Sequence, residues 1–213
     1  MCAMQNNKKL VVISPPQYVR EEQEMVRKMI DYGLQYYHVR KPVYTKEETE
    51  RFLKGFAAAY RRLMILHDHY ELVESYGLAG IHITQKHKNK GIEARFINRH
   101  VSISTHSTEE IDDLAGVYQY ALLSPIFNSI SKKGYCSGFT KKGLKSFFAS
   151  YKGLTPVLAL GGIHIDTIPT IQNIGFNGYA VLGAIWGDFS HESIPNQSLQ
   201  AFKQLRTLVS TSK

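Results

Sequence analysis

The chain has 213 residues, 43% hydrophobic and 21% charged, a balance that excludes collagen-like, disordered and membrane-embedded classes and suffices for one sizeable core. Basic residues outnumber acidic ones by 26 to 18, for a net charge of +8, which suits anionic partners. The pattern argues against nucleic acid among them: the basic stretches Lys86, Lys88, Lys90 and Lys132, Lys133 lack the interleaved aromatics of a base-stacking surface.

The N-terminal stretch Met1 to Leu10 lacks the apolar centre of a signal peptide and no window approaches a membrane span, so the expectation is a cytoplasmic chain with no membrane partner. Cys2 and Cys136 lie far apart, which argues against a disulfide framework or a zinc cluster and leaves two free thiols.

Strands are predicted at Leu10 to Ser14, Tyr36 to Arg40, Leu63 to His67, Gly80 to Ile83, Val101 to Ser104, Tyr118 to Leu123, Pro156 to Leu160 and Gly178 to Leu182. Between most of them lie polar-apolar stretches of helical period. Glu21 to Tyr32 places Met25, Val26, Met29 and Ile30 on one face, and Gly33 supplies its stop. Thr45 with Glu48, and Ser107 with Glu110, match the capping box that opens a helix. Ser124 to Thr140 has neither period and reads as a long loop, either a lid over a site or a surface excursion. Eight strands alternating with helices, undivided by any linker, predict one α/β domain over residues 1–213, a (β/α)₈ TIM barrel.

In such a barrel the chemistry gathers where strands end. That filter selects His38 and Arg40; His67 with Asp68; His82 with Gln85 and His87; Ser104 with His106; Ser129 to Lys132; Gly161 with Gly162; and Gly183. Gly161-Gly162 after the seventh strand and Gly183 after the eighth suit a phosphate, because glycine lets an anion approach backbone amides. Ligand-free tight turns are the alternative. Ser129, Ser131 and Lys132 offer hydroxyls and a cation to a diphosphate, or form a solvated loop. Asp68 suits Mg²⁺, or caps the next helix.

Six blocks in order resemble the thiamine phosphate synthase and thiazole tautomerase family from Leu10 to about Leu208. They are Tyr37-His38-Val39-Arg40-Lys41, Leu66-His67-Asp68, Gly80-Ile81-His82-Ile83-Thr84-Gln85, Ser104-Thr105-His106, Ser124-Pro125-Ile126-Phe127 through Lys132, and Ala159-Leu160-Gly161-Gly162-Ile163. The resemblance implies an alkyl transferase in which a thiazole phosphate displaces pyrophosphate from a pyrimidinylmethyl diphosphate, giving thiamine phosphate. Its partners are phosphorylated small molecules. It also implies that Arg40, Lys132 and Ser104 form the catalytic set. His38, His67, Ser129, Ser131, Gly161, Gly162 and Gly183 bind substrate on this view, and Asp68 with His87 hold Mg²⁺.

Four positions depart from the family pattern. His38 stands for a glutamine, His67 for an asparagine, Pro42 for a lysine (with Lys41 one place early), and His87 for a metal carboxylate. An imidazole in that last place favours a softer divalent ion. The tautomerase relative carries a histidine where this chain has Ser124, so a tautomerase would need His38 or His106 as its proton carrier. A non-catalytic phosphate-binding barrel is the third reading.

Overall fold

A computed structural model describes residues 8–90, 92–114, 116–127, 138–187 and 195–211. In chain order the elements are β1 (Lys9–Ile13), α1 (Glu22–Asp31), β2 (Tyr36–Val39), α2 (Lys46–Lys54), α3 (Ala58–Arg61), β3 (Met64–Leu66) and α4 (Leu72–Tyr76). There follow β4 (Gly80–Ile83), 3₁₀ turns at Gln85–Lys90 and Ala94–Phe96, β5 (His100–Thr105), α5 (Thr108–Asp112), β6 (Tyr120–Leu123) and α6 (Lys141–Ser150). The chain continues with β7 (Val157–Ala159), α7 (Ile168–Ile171), β8 (Gly178–Val181), α8 (Gly183–Trp186) and α9 (Pro195–Thr211). The strands pair in sequence order, all parallel, and β8 closes on β1. The expected (β/α)₈ barrel is thus the fold, each predicted strand overlapping an observed one.

Side chains alternate across each strand, and the alternation sorts two cores. Outward residues such as Leu10, Val12, Tyr37, Val39, Ile81 and Ile83 join the large cluster under the helices. Inward residues Val11, Ile13, Ile65, Tyr120, Leu122, Leu158 and Ala180 form a separate cluster inside the barrel. Barrel interiors are ordinarily filled by bulky branched residues. Here β2, β4 and β5 instead send His38, His82 and Ser102 inward, all fully buried. The register places His38 beside Ile13 and Ile65, and Ser102 between His82 and Tyr120.

Local signals account for the helix ends. Gly33 takes φ +95° after α1, a conformation glycine adopts without strain. At α2 the Thr45 hydroxyl accepts from the Glu48 amide at 3.2 Å while the Glu48 carboxylate accepts from the Thr45 amide at 2.7 Å. Ser107 caps α5 through the Glu110 amide. Thr45→Ala is expected to lower stability by about 1 kcal/mol in urea unfolding, the usual value of an N-cap. At β4 the backbone itself demands glycine: a Cβ on Gly80 would lie 1.9 Å from the His100 carbonyl oxygen.

The described ends of the expected long loop, 124–127 and 138–140, carry no helix or strand. Ser129, Ser131 and Lys132 lie outside the described residues. Among the described residues no helix is long and apolar enough to cross a membrane.

Candidate active site

The C-terminal ends of the strands surround a cavity of about 530 Å³. Its lining brings together Arg40, His67, Asp68, Ser104, Gly161, Gly162 and Gly183 from strands on opposite sides of the barrel. His38 lies beneath the floor and His87 behind the rim; neither lines the cavity.

Arg40 follows β2 and is held by its backbone. The buried Ser14 hydroxyl accepts from the Arg40 amide at 2.7 Å and donates to the Arg40 carbonyl at 3.0 Å. This clasp from the end of β1 fixes where the guanidinium starts. Lys41, next in sequence, turns away. Its ammonium lies 2.5 Å from the Glu22 carboxylate in a pair almost wholly buried between β2 and α1, and the Tyr37 hydroxyl donates to the same carboxylate at 2.7 Å. The lysine one place early in the motif therefore serves packing, not the cavity.

Asp68 follows β3. One carboxylate oxygen lies 3.2 Å from the Lys86 ammonium and 3.9 Å from Nε2 of His87. The other His87 nitrogen, Nδ1, lies 3.1 Å from the Tyr70 hydroxyl and 3.3 Å from that of Thr84, which turns Nε2 toward Asp68. The residue flanking α4 as its cap is Glu71; Asp68 faces Lys86 instead, so the helix-capping alternative is set aside.

Under the cavity the imidazoles form a network. Nδ1 of His38 and Nε2 of His67 face each other at 2.9 Å, and Nε2 of His38 meets the Tyr120 hydroxyl at 2.6 Å. His82 lies 2.9 Å from the Ser102 hydroxyl through Nδ1 and 2.8 Å from that of Ser104 through Nε2. The His67 and His82 rings stack with centroids 4.3 Å apart. Burial, reinforced by the neighbouring histidines, holds His38 and His67 well below the usual imidazole range. Burial, with His100 and Arg40 beside it, pushes His82 down to about 3. These rings are neutral at pH 7, so they offer lone pairs and N–H groups rather than charge.

On the far side Gly161 and Gly162 take φ +93° and +63°. A Cβ on Gly161 would lie 2.8 Å from Cα of Pro125, and the Phe127 amide donates to the Gly161 carbonyl at 3.0 Å. The turn is therefore packed against the segment after β6. His106 donates from Nδ1 to the Ser124 carbonyl at 2.9 Å, because a carbonyl can only accept.

Thr84 and Lys86, to which the sequence assigned no role, also line the cavity, as does His82, selected only for its place at a strand end. The usable signal for His82 was its place between Ile81 and Ile83: on a barrel strand, alternation with two outward residues puts it inside. Lys86 carried no such signal, since only the fold of the Gln85–Lys90 turn brings it to Asp68.

A family model described as thiamine monophosphate synthase matches residues 10–185. The thiamine-phosphate synthase of Bacteroides fragilis is 29% identical over 172 residues, covering 76% of this chain and 84% of that protein. That of Dictyoglomus turgidum is 27% identical over 173 residues, covering 78% and 76%. A crystal structure of thiamine phosphate pyrophosphorylase from Bacteroides thetaiotaomicron superposes with a TM-score of 0.81 at 30% identity, covering 96% of this chain and 99% of that one. With a closed parallel barrel and a cavity at its strand ends, this chain belongs to the thiamine monophosphate synthase family and is a transferase.

Proposed function

We propose that the cavity couples a pyrimidinylmethyl diphosphate to a thiazole phosphate, giving thiamine phosphate and pyrophosphate. One observation carries this reading: two anion-suited ends face each other across the cavity, Arg40 and Lys86 beside Asp68 after β2 to β4, and Gly161, Gly162 and Gly183 after β7 and β8. Two phosphorylated substrates need two such ends. The thiazole nitrogen attacks the methylene carbon, and the carbon–oxygen electron pair leaves with pyrophosphate. Arg40 neutralises charge on the departing oxygens, and such groups, aimed where charge develops, supply most of the rate effect. The family resemblance adds Ser129, Ser131 and Lys132 to this end. Ser104 and His67 hydrogen-bond the pyrimidine side, while His38, under the floor, holds His67 in place. The phosphorylated substrates, which do not cross membranes unaided, accord with a cytoplasmic reaction.

Asp68 and His87 would hold a divalent ion at the diphosphate end. Mg²⁺ keeps several waters and takes substrate phosphates as ligands, so a single carboxylate at the cavity edge with one imidazole behind it fits; the imidazole shifts preference toward Mn²⁺. When bound, the ion supplies further neutralisation of the diphosphate.

The test is pyrophosphate release by purified protein given both substrates, with Mg²⁺ and with Mn²⁺. Gly162→Val, a β-branched side chain at φ +63°, is expected to weaken thiazole phosphate binding at least roughly tenfold by calorimetry, given the strain of that conformation. Unchanged affinity would remove the phosphate from this turn. A second reading, thiazole tautomerisation, draws on His106, whose ring sits against the Ser124 carbonyl, beside the position where the tautomerase relative carries its histidine. Conversion of the thiazole tautomer without pyrophosphate release under either ion would favour it.

A further inference from the structure

Below the diphosphate end lies a second cluster whose chemistry differs from that of the rim. Each of His38, His67 and His82 offers one ring nitrogen within 4.8 Å of those of the other two, and all three side chains are buried. We propose that these three imidazoles form a site for a borderline-soft divalent ion such as Zn²⁺, with its remaining coordination position open to the cavity.

The donor set argues for this class of ion. Three neutral nitrogens without a carboxylate suit Zn²⁺, Co²⁺ or Ni²⁺ and not Mg²⁺. Tetrahedral coordination at about 2.0–2.1 Å places ligand nitrogens roughly 3.4 Å apart. The observed separations, 2.9 Å between the facing nitrogens of His38 and His67 and no more than 4.8 Å for the set, bracket that value. The two facing nitrogens of His38 and His67 now share one proton, and an ion would take its place between two lone pairs.

Outer groups are also in position. Ligating imidazoles usually pass their second N–H to an oriented acceptor. The Tyr120 hydroxyl at 2.6 Å stands in that relation to His38, and the Ser102 hydroxyl at 2.9 Å to His82. His67 has no such acceptor: its Nδ1 is buried and without a hydrogen-bond partner among the described residues. His67 and His82 line the cavity while His38 lies behind them, so an ion would enter from the cavity side, displacing the Ser104 hydroxyl that lies 2.8 Å from Nε2 of His82. Three protein nitrogens with one open position is the arrangement of reactive rather than structural zinc sites.

The experiment uses the full chain, stripped with chelator and titrated with Co²⁺ and with Zn²⁺. One equivalent of Co²⁺ should give the intense visible bands of a four- or five-coordinate ion, and Zn²⁺ should displace it. His38→Gln and His82→Gln should each weaken Zn²⁺ binding by at least about 100-fold, more than loss of an outer group costs, whereas Asp68→Asn should leave the Co²⁺ band positions unchanged. X-ray absorption on the unmodified Zn²⁺ protein should count three imidazoles, a reading that stands even where a variant fails to fold. No binding, a six-coordinate Co²⁺ spectrum, a shell of one imidazole with carboxylate, or bands that vanish in Asp68→Asn would each overturn the proposal. None of these outcomes bears on whether pyrophosphate is released with Mg²⁺.

Discussion

Arg40→Ala should lower kcat/KM for pyrophosphate release by roughly 10²–10³-fold, the usual consequence of removing one preorganised group that stabilises departing negative charge. That corresponds to about 3–4 kcal/mol of lost transition-state stabilisation. Most of the loss should fall on kcat, because the leaving group gains charge as the bond breaks and the ground state needs the guanidinium less. Arg40→Lys should recover part of it, keeping the charge without the planar fork. The backbone clasp from Ser14 stays intact in both variants, so circular dichroism and melting temperature should match the parent. A variant that turns over within about fivefold of the parent would remove Arg40 from the leaving-group end.

Acid should unfold the metal-free protein through its buried imidazoles. His82 is pushed down to about 3 and His100 to about 4, both chiefly by burial. His38 and His67 are lowered well below the usual range by the same cause. An unfolded histidine titrates near 6.5. Above that pH neither state holds the proton and nothing changes. Below it the unfolded chain takes up protons the folded barrel refuses, so stability falls with falling pH by up to roughly 1.4 kcal/mol per unit for each histidine. The loss is complete only once pH has passed below the folded values. Two pH units below 6.5, His82 and His100 alone remove roughly 5 kcal/mol, comparable with the whole stability of many domains. Glu22 works in the opposite direction, since burial raises it despite the adjoining Lys41 and the folded state protonates it first; one group does not offset four. Urea unfolding followed by circular dichroism in EDTA, from about pH 7.5 to pH 4.5, checks this. A curve flat to about pH 5 would show that the barrel interior is hydrated enough to accept protons.

Much of this protein follows from residue order alone. The runs of β-branched and aliphatic residues place all eight strands, because a parallel strand buried on both faces must be apolar almost throughout. The Thr45 capping box and the Gly33 stop act within a few residues, so their effect is local and readable. Strand ends carry the cavity in this fold, and for that reason Arg40, His67, Asp68, Ser104 and the three glycines were legible before any coordinates. Three things were not. Lys41 and Arg40 are neighbours in sequence, yet alternation sends one outward to Glu22 on α1 and the other to the cavity. Lys86 reaches Asp68 only because a 3₁₀ turn carries it back across the rim. His38 and His82 sit on two strands and His67 just after a third, and nothing local relates them; closure of the barrel and the register between strands bring their rings together. Residue order thus specifies the barrel, the cavity's place at its strand ends and most of the residues around it. Which charged groups face inward, and the meeting of three imidazoles in one buried space, depend instead on register and closure, which bind residues far apart in the chain.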